Sequence, residues 1–335
     1  MAKEILSENK IRPDNLSQKQ NKLYEEDVKN LLKRKNEFVK VDCPACGKRN
    51  FKNWGKKYSL DYAVCNNCQT VFISPRPTPQ ILDDYYKNSQ NYIFWNKYIF
   101  PKSEKVRRQE IFKPRAELIK KICLKHNISH NVLVDVGAGF GTFCEEAEKM
   151  KFFKKIIAVE PTPDLAKTCR KKGLEVIEKY IEEVDFKIPV DVMTAFEVIE
   201  HLFSPKDFLL GCASALKKRG IIVLTCPNIQ GFDLLMLREL SKTIDAEHLN
   251  YFNPDSLCYL LERRGFKIIE VSTPGKLDAE LVRKASLKGE FNIKKHPFIE
   301  KVLINDWQRL AAGFQKFLSD NLLSSHMLIV ARKNK

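Results

Sequence analysis

The stretch VLVDVGAGFGTF, residues Val132–Phe143, decides the fold of this chain. It is an apolar run that ends in three alternating glycines, and the helix-forming segment TFCEEAEKM overlaps its end. A buried strand that turns through glycines into a helix is typical of sheets that bind nucleotide-like ligands. The dinucleotide fingerprint requires a third glycine three residues after the second, and Thr142 occupies that position. A nucleoside-triphosphate loop is also excluded, because no Lys-Ser or Lys-Thr pair follows the glycines.

Apolar runs alternate with amphipathic segments from residue 131 onward. The other predicted strands are short apolar segments: KIIAVE, LEVIE, VDVMTAFEV, IIVLTCP, FKIIEVS and SHMLIVARK. Ser204 and Pro205 open a helix that we expect to end at Gly220, and Asn253 opens another. The alternation predicts an α/β fold with a doubly wound, mostly parallel, seven-stranded Rossmann-like sheet. The last two strands have no compact helix between them, which predicts an antiparallel hairpin at one edge of the sheet.

Changes in composition divide the chain into four predicted parts. Residues 1–40 form a charged extension, and residues 41–75 hold two cysteine pairs. Residues 76–113 are an aromatic-rich segment that begins in a proline-rich link. Residues 114–335 are expected to form the sheet domain, with an insertion at 275–324 between its last two strands.

Two Cys-x-x-Cys pairs, CPACG and CNNC, stand eighteen residues apart. A β-hairpin of that length can bring the pairs together, and Zn²⁺ prefers four tetrahedral thiolate ligands. We therefore predict a small zinc ribbon whose ligands are Cys43, Cys46, Cys65 and Cys68. A site closed by four cysteines is structural, since no coordination position is left for substrate. The alternative, redox dithiols, does not explain two such pairs.

Composition limits the partners and the compartment. The net charge is +16, but the lysines are spread along the chain without an arginine–aromatic cluster, so nucleic acid is disfavoured without being excluded. No apolar run reaches the roughly 20 residues needed to span a bilayer. The first residues lack the apolar core of a signal peptide, and six cysteines outside the pairs lie in apolar contexts. These features predict a cytoplasmic protein.

Two carboxylates complete the pattern around the glycines. Asp135 lies two residues before the first glycine, and Glu160 ends the next strand, where a carboxylate can accept both hydroxyls of a ribose. With these residues the chain resembles class I S-adenosylmethionine-dependent methyltransferases. The resemblance rests on VDVGAGFG, AVEP, TAFEVIEHL and LTCPN, and covers roughly residues 114–274 and the final strand.

One subgroup of that family is especially similar. Its members have an N-terminal zinc ribbon, a PRPT-like link and the phrase EHLNYFNPDSL, all present here. The subgroup includes C-methyltransferases of nucleotide-linked deoxysugars, which implies S-adenosylmethionine as cofactor and a small-molecule acceptor. Alternatives are an O-methyltransferase that uses a metal, an RNA methyltransferase that uses the ribbon and the positive charge, and a non-catalytic cofactor-binding module. Oligomeric state is not predicted.

The resemblance also implies the cofactor-binding residues. Asp135 would hold the methionine amino end, the glycines would let the cofactor approach the backbone, and Glu160 would bind the ribose. Tyr180 and Ile181 would line the adenine, where relatives often carry an aspartate. The full predicted set is Asp135, Gly137, Ala138, Gly139, Glu160, Pro161, Tyr180, Ile181, Phe196 and Glu197.

The sequence contains two Glu-His pairs. In the first, Glu197, Glu200 and His201 spell Glu-x-x-Glu-His after the fourth strand, a phrase that some quinone O-methyltransferases share. Three interpretations stay open: these side chains bind Mg²⁺ or Zn²⁺ and acidify a substrate hydroxyl, His201 orients substrate, or the pair only satisfies loop backbone groups.

The second pair, Glu247 and His248, follows the fifth strand. Histidine titrates near neutral pH, so His248 is the predicted base that removes a proton from the acceptor, as the resemblance also implies. Glu247 would orient its ring or, pointing the other way, anchor the loop. In the structural alternative, His248 is hydrogen-bonded to Asp245 or to backbone. Tyr92, Tyr98 and Tyr251 are secondary candidates for the acceptor pocket.

Overall fold

The strands of this chain assemble into two separate sheets. The computed structural model describes residues 14–334. The strands, in chain order, are β1 Phe51–Lys57, β2 Leu60–Cys65, β3 Val71–Ile73, β4 Val132–Val136, β5 Lys155–Val159, β6 Glu175–Ile177, β7 Val190–Phe196, β8 Leu216–Pro227, β9 Asn250–Tyr251, β10 Phe266–Ser272 and β11 His326–Lys333.

Seven of these strands form the predicted mostly parallel sheet. Their order is β10-β11-β8-β7-β4-β5-β6, and only β11 runs antiparallel to its neighbours. The central strands β4 and β7 are mostly apolar and almost entirely buried, as expected when helices cover both faces of a parallel sheet. The predicted α/β fold class and antiparallel edge are therefore confirmed.

Helices pack on both faces of this sheet. The α-helices are α1 Asp14–Leu32, α2 Pro79–Asn88, α3 Gln90–Phe94, α4 Phe100–Arg107, α5 Lys113–Lys125, α6 Thr142–Lys149, α7 Pro163–Lys171, α8 Pro205–Ala215, α9 Phe232–Leu237, α10 Pro254–Glu262, α11 Asp278–Leu287, α12 Pro297–Glu300 and α13 Trp307–Asp320. Helices α5, α6 and α7 contribute to the apolar core on one face. Helices α8 and α10 contribute to the core on the other face, together with residues of the cysteine-rich module.

The helix before β8 ends earlier than we expected. Helix α8 stops at Ala215 and the strand begins at Leu216, so Gly220 lies inside β8. Leu216 pairs with Val190 of β7, and Lys217 forms an ion pair with the buried carboxylate of Asp191, so the segment lies against β7 as a strand. The prediction of a helix end at Gly220 was wrong because a glycine marks a backbone that can turn, and tertiary pairing decides where it does.

The cysteine-rich module forms the second sheet. Strands β1, β2 and β3 are antiparallel, and β9, from the loop that follows the second Glu-His pair, pairs with β3 as the fourth strand. Helix α1 covers this sheet with Val28 and Leu31. The segment that contains His248 is therefore built into the N-terminal module, which the sequence did not predict.

A series of consecutive helical segments from residue 90 to residue 125 connects the cysteine-rich sheet and α2 to the seven-stranded sheet. Two π-helical turns, Trp95–Ile99 and Arg108–Phe112, interrupt it directly before Phe100-Pro101 and Lys113-Pro114. A proline lacks an N–H and clashes with the preceding turn, so a locally wider helix accommodates it. The ring of Phe100 stacks on Phe140 of the glycine loop at 3.5 Å between centroids. This series of segments therefore lies against the loop.

Helices α11, α12 and α13 lie between β10 and β11 and form an apolar cluster with α9. Asp278 at the start of α11 accepts hydrogen bonds from Ser324 Oγ and Ser325 N. Burial and the nearby Asp278 carboxylate raise the pKa of Asp233, on α9, to about 7.

Among the described residues, no helix is both long enough and apolar enough to cross a membrane.

Candidate functional site

The glycine loop lies at the carboxyl end of β4, where open parallel sheets bind ligands. Gly137 has φ of +72°, and a Cβ there would come within 2.6 Å of the Val198 side chain. Gly139 also has positive φ, but a Cβ on it would meet nothing within 4 Å. Gly137 thus serves the turn and the packing, whereas Gly139 leaves open space where a ligand could approach the backbone.

Glu160 connects this loop to the end of β5. Its carboxylate accepts hydrogen bonds from the backbone N–H of Gly139 at 2.8 Å and of Thr162 at 2.9 Å. The side chain is buried, which raises its pKa despite these two donors. Pro161 follows directly and leads into α7. The carboxylate is therefore fixed beside the open space at Gly139, where the predicted ribose contact would need it.

Asp135 is buried inside the end of β4. Thr194 Oγ1 donates to its carboxylate at 2.6 Å, and burial raises the pKa of Asp135 to about 7. The Ala138 N–H donates to the Val159 carbonyl, which connects the glycine loop to the end of β5. Asp135 is about as buried as Glu160, and its predicted hold on a methionine amino group, through water or backbone, stays a prediction.

Phe196 and Glu197 end β7 next to a residue that the sequence did not single out. The Arg115 guanidinium lies 4.7 Å from the centroid of the Phe196 ring and 3.4 Å from Glu197 Oε1. Glu197 also accepts from Thr225 Oγ1 at 2.6 Å and faces His326 Nδ1 at 3.4 Å. His326 and Arg115 lower the pKa of Glu197 against the effect of burial.

Tyr180 and Ile181 lie past β6, on the far side of Glu160. Ile181 is buried in the core, whereas Tyr180 is 44% exposed and donates from its hydroxyl to Asp83 on α2 at 2.5 Å. The hydrogen bond therefore connects Tyr180 to α2. Their predicted contact with adenine stays a prediction.

The two Glu-His pairs meet in space. The rings of His201 and His248 lie 4.6 Å apart, centroid to centroid, in an edge-to-face arrangement. Tyr86, on α2, places its hydroxyl 3.2 Å from His201 Nδ1. Burial and the neighbouring His248 lower the pKa of His201 well below its usual value, so His201 is neutral near pH 7. It is therefore suited to orientation rather than to accepting a proton.

The hydrogen bonds to His248 define its tautomer. Its Nδ1 lies 2.9 Å from the Thr243 carbonyl oxygen and 3.2 Å from Asp245 Oδ2. A carbonyl and a carboxylate can only accept, so Nδ1 carries a proton, which in the neutral ring leaves the lone pair on Nε2. The partners are those of the structural alternative, and both engage Nδ1 rather than Nε2. Asp245 takes the orienting position that we had assigned to Glu247.

Glu247 points to the aromatic segment instead. Its carboxylate accepts from the Tyr85 hydroxyl at 2.7 Å and from the Tyr92 hydroxyl at 3.1 Å. Burial and the nearby Asp245 raise the pKa of Glu247 to about 7, although Tyr85 opposes this shift. Glu247 therefore anchors the loop, which is the second of the two roles left open for it.

Tyrosines of α1 and of the cysteine-rich sheet also hold the loop that contains His248. Tyr24 accepts the N–H of Ala246 at 2.8 Å, and Tyr62 donates to the Asp245 carbonyl at 2.8 Å. Tyr251 is fully buried, and its hydroxyl donates to the Thr243 carbonyl. Tyr98 is partly exposed and packs on Phe94. Of the secondary tyrosine candidates, Tyr92 and Tyr251 thus support the loop.

Glu200 belongs to a candidate cluster of metal-ligating side chains that differs from the predicted one. Its side chain is fully buried, and among described residues neither carboxylate oxygen has a hydrogen-bond partner. Ligand atoms of Glu200, His201 and His248 all lie within 4.8 Å of one another. Glu197 is instead engaged by Thr225 and Arg115, so the predicted grouping of Glu197 with Glu200 and His201 is replaced by one that includes His248.

The four paired cysteines converge at one point. Cys43 lies 3.4 Å from Cys68 and Cys46 lies 3.5 Å from Cys65, measured between sulfur atoms. All four sulfurs lie within 4.8 Å of one another, and none is in a disulfide. Hydrogen bonds from Cys43 and Thr70 lower the pKa of Cys68 to about 5. A compact set of four soft donors fits a tetrahedral Zn²⁺.

Known proteins resemble this chain over the sheet domain. The family model described as a methyltransferase domain matches residues 104–271. A ubiquinone biosynthesis O-methyltransferase of Bradyrhizobium sp. (strain ORS 278) is 31% identical over 147 residues, 39% of this chain and 57% of the relative. The C-methyltransferase NovU of Streptomyces niveus is 22% identical over 222 residues, 64% of this chain and 48% of the relative. The chain thus spans about half the length of these relatives.

A solved S-adenosylmethionine-dependent methyltransferase from Clostridium acetobutylicum ATCC 824 is 11% identical. It aligns with a TM-score of 0.47 over 72% of this chain and 99% of its own. The family match covers half of the residues and includes the glycine loop, Glu160 and the first Glu-His pair. The chain therefore belongs to the methyltransferase-domain family.

Proposed function

We propose that this protein transfers a methyl group from S-adenosylmethionine to a small molecule, such as a nucleotide-linked sugar. One observation supports the proposal: His248, whose Nδ1 is held by the Thr243 carbonyl and Asp245, contacts His201 after β7, and the glycine loop and Glu160 follow the neighbouring strands β4 and β5. The relatives named as C- and O-methyltransferases support a small acceptor.

The chain's own residues fit this cofactor. Glu160 would accept the ribose hydroxyls, and the open space at Gly139 would admit the ligand to the backbone. Arg115 is the cation next to Asp135 and Glu197, and it is suited to a carboxylate of the methionine end. When bound, the cofactor supplies an electrophilic methyl group on a sulfonium.

His248 would then act on the acceptor. Its Nε2 lone pair takes a proton from an acidic C–H or O–H group, and Asp245 stabilises the imidazolium through Nδ1. The deprotonated acceptor would then receive the methyl group supplied by a cofactor held at Glu160 and the Gly139 loop. His201, held by Tyr86, would orient the acceptor.

The experiment is incubation of the full chain with methyl-labelled S-adenosylmethionine and fractionated cell extract, followed by mass identification of labelled products. A labelled small molecule supports the proposal, and undiminished labelling at high salt separates it from RNA methylation, whose affinity falls steeply with salt. Cofactor binding without any labelled product contradicts it.

A metal-assisted O-methyl transfer is the second candidate, and the buried, unpartnered carboxylate of Glu200 favours it. Burial and Glu197 raise the pKa of Glu200 well above its usual value, which favours the protonated form when no cation is bound. A divalent metal held by Glu200, His201 and His248 would ionise it and would acidify an acceptor hydroxyl.

Glu200→Gln separates the two candidates. A glutamine keeps the shape of the neutral acid, so the metal-free account predicts unchanged metal content and little loss of turnover. Loss of one equivalent of metal together with turnover, in a variant that keeps its cysteine-bound metal, would establish the metal-assisted reaction.

We also propose that Cys43, Cys46, Cys65 and Cys68 hold one structural Zn²⁺. Four ligands close the coordination sphere, so its contribution is to stabilise the sheet that β9 completes. The stabilised sheet is the support of the loop that carries His248.

A further inference from the structure

The proline-rich link contains a fully buried arginine. Arg76 is 1% exposed, and all the hydrogen-bond acceptors around its guanidinium are neutral. Burying a charge is expensive, and it persists where hydrogen bonds compensate. The Cys43 thiolate favours the charged form of Arg76 but is not among these hydrogen-bond acceptors. The identity of these acceptors therefore indicates what the side chain is for.

The acceptors come from three segments of the chain. Nε donates to the carbonyl of Ile73, the last residue of β3, at 3.0 Å. Nη1 donates to the Phe203 carbonyl, past the first Glu-His pair, at 3.3 Å. Nη1 also donates to Asn250 Oδ1 at 3.0 Å, and Nη2 to the Leu249 carbonyl at 3.3 Å, directly after the second pair. One planar fork thus joins both Glu-His segments.

Asn250 completes this connection. Its backbone N–H donates to the Glu200 carbonyl at 3.0 Å, and its Nδ2 donates to the Leu202 carbonyl at 2.8 Å. An amide turns its oxygen toward a donor and its nitrogen toward acceptors. Because Arg76 supplies the donor, it fixes the amide in the orientation that grips the first Glu-His segment.

The guanidinium is itself held in place. The backbones of Arg76 and Val39 exchange two hydrogen bonds of 2.9 Å, which tie the link to the chain that enters the cysteine-rich module. The N–H of Ile73 donates to the Leu249 carbonyl at 3.0 Å, so that oxygen accepts from both β3 and Arg76. The link is therefore part of the support for both histidines.

We propose that Arg76 and Asn250 are positioning residues that set the distance between His201 and His248. Neither residue contacts the reacting atoms; they act through the two backbone segments that they join. The consequence for methyl transfer rests on the function proposed above, whereas the consequence for geometry does not depend on it.

The test is a ring-to-ring nuclear Overhauser effect between His201 and His248 in protein with labelled histidines. Their separation of 4.6 Å between centroids predicts a cross-peak in the unmodified protein. Arg76→Lys keeps the charge but loses the fork, and Asn250→Ala removes the bridging amide. Arg49→Lys is the matched control, because Arg49 belongs to the same module and its side chain is 87% exposed.

We expect the cross-peak to vanish or weaken severalfold in Arg76→Lys and Asn250→Ala, with S-adenosylmethionine affinity within twofold of the unmodified protein. On the identified acceptor, kcat should fall at least tenfold in both variants and stay unchanged in Arg49→Lys. Cross-peaks that persist in both folded variants would overturn the proposal. Absence of methyl transfer by the unmodified protein would count against the proposed function alone, since the cross-peak still decides the geometry.

Discussion

The rings of His201 and His248 lie 4.6 Å apart although they belong to different loops of the chain. His201 follows β7 of the large sheet, whereas His248 precedes β9 of the cysteine-rich sheet. The contact between these two residues is therefore also a contact between two sheets. Any change that shifts one sheet against the other alters the side of the site where an acceptor would bind.

Replacement of Glu160 by alanine should weaken S-adenosylmethionine binding. The variant loses both the proposed ribose contact and the acceptor of the Gly139 N–H, so the loop also becomes less fixed. We expect a Kd about tenfold to a hundredfold higher, or roughly 1.4 to 2.8 kcal/mol, by isothermal titration. Glu175→Ala, at an exposed carboxylate on β6, is the control. Equal affinities in the two variants would refute the role of Glu160.

Cys65→Ser should remove the zinc and lower the melting temperature. Three remaining thiolates cannot close a tetrahedral site, and the sheet that carries β9 loses its cross-link. Metal analysis should find one zinc per unmodified chain and less than about a tenth of that in the variant. Cys258→Ser changes a half-buried thiol outside the cluster and should keep the metal. A metal content that is the same in both variants would rule out the ribbon site.

Asp233 should make stability fall as pH rises. Its pKa is near 7 in the folded chain and near 4 in the unfolded chain, so between these values only the folded state keeps the proton. Raising the pH then favours the unfolded state by at most about 1.4 kcal/mol per pH unit, and the effect levels off above pH 7.

Asp233→Asn isolates this effect, because asparagine keeps the shape of the protonated acid. Urea unfolding at pH 5, 6, 7 and 8 should show the free energy of unfolding of the unmodified protein falling relative to the variant up to pH 7. A difference that stays constant over this range would mean that Asp233 titrates near its ordinary value.

The sequence alone predicted the seven-stranded sheet, but it did not predict that β9 joins the cysteine-rich sheet. Strands such as Val132–Val136 are continuous apolar runs, and local periodicity alone identifies them. Strand β9 has two residues, and only its pairing with β3, from a distant part of the chain, makes it a strand. Pairing over such a separation leaves no local pattern, so the connection between the Glu-His loop and the cysteine-rich sheet was missed.

The same reason explains which site residues were missed. The glycines follow one predicted strand and Glu160 ends the next, so their positions relative to the strands can be recognised in the sequence alone. Arg115 and Tyr86 lie on helices whose sequences resemble ordinary amphipathic helices, and only the fold brings them to Glu197 and His201. Asp245, three residues before His248, was not missed: the structural alternative named it as a hydrogen-bond partner of His248, and the structure shows that contact.

His248→Gln provides the most direct test of the central claim. The measurement is the initial rate of methyl transfer to the identified acceptor by the unmodified protein and by His248→Gln, with cofactor affinity measured on both. The account predicts unchanged cofactor affinity and a rate at least a hundredfold lower in the variant, because a glutamine cannot accept the proton. A variant that binds the cofactor and transfers methyl groups at the unmodified rate would contradict it.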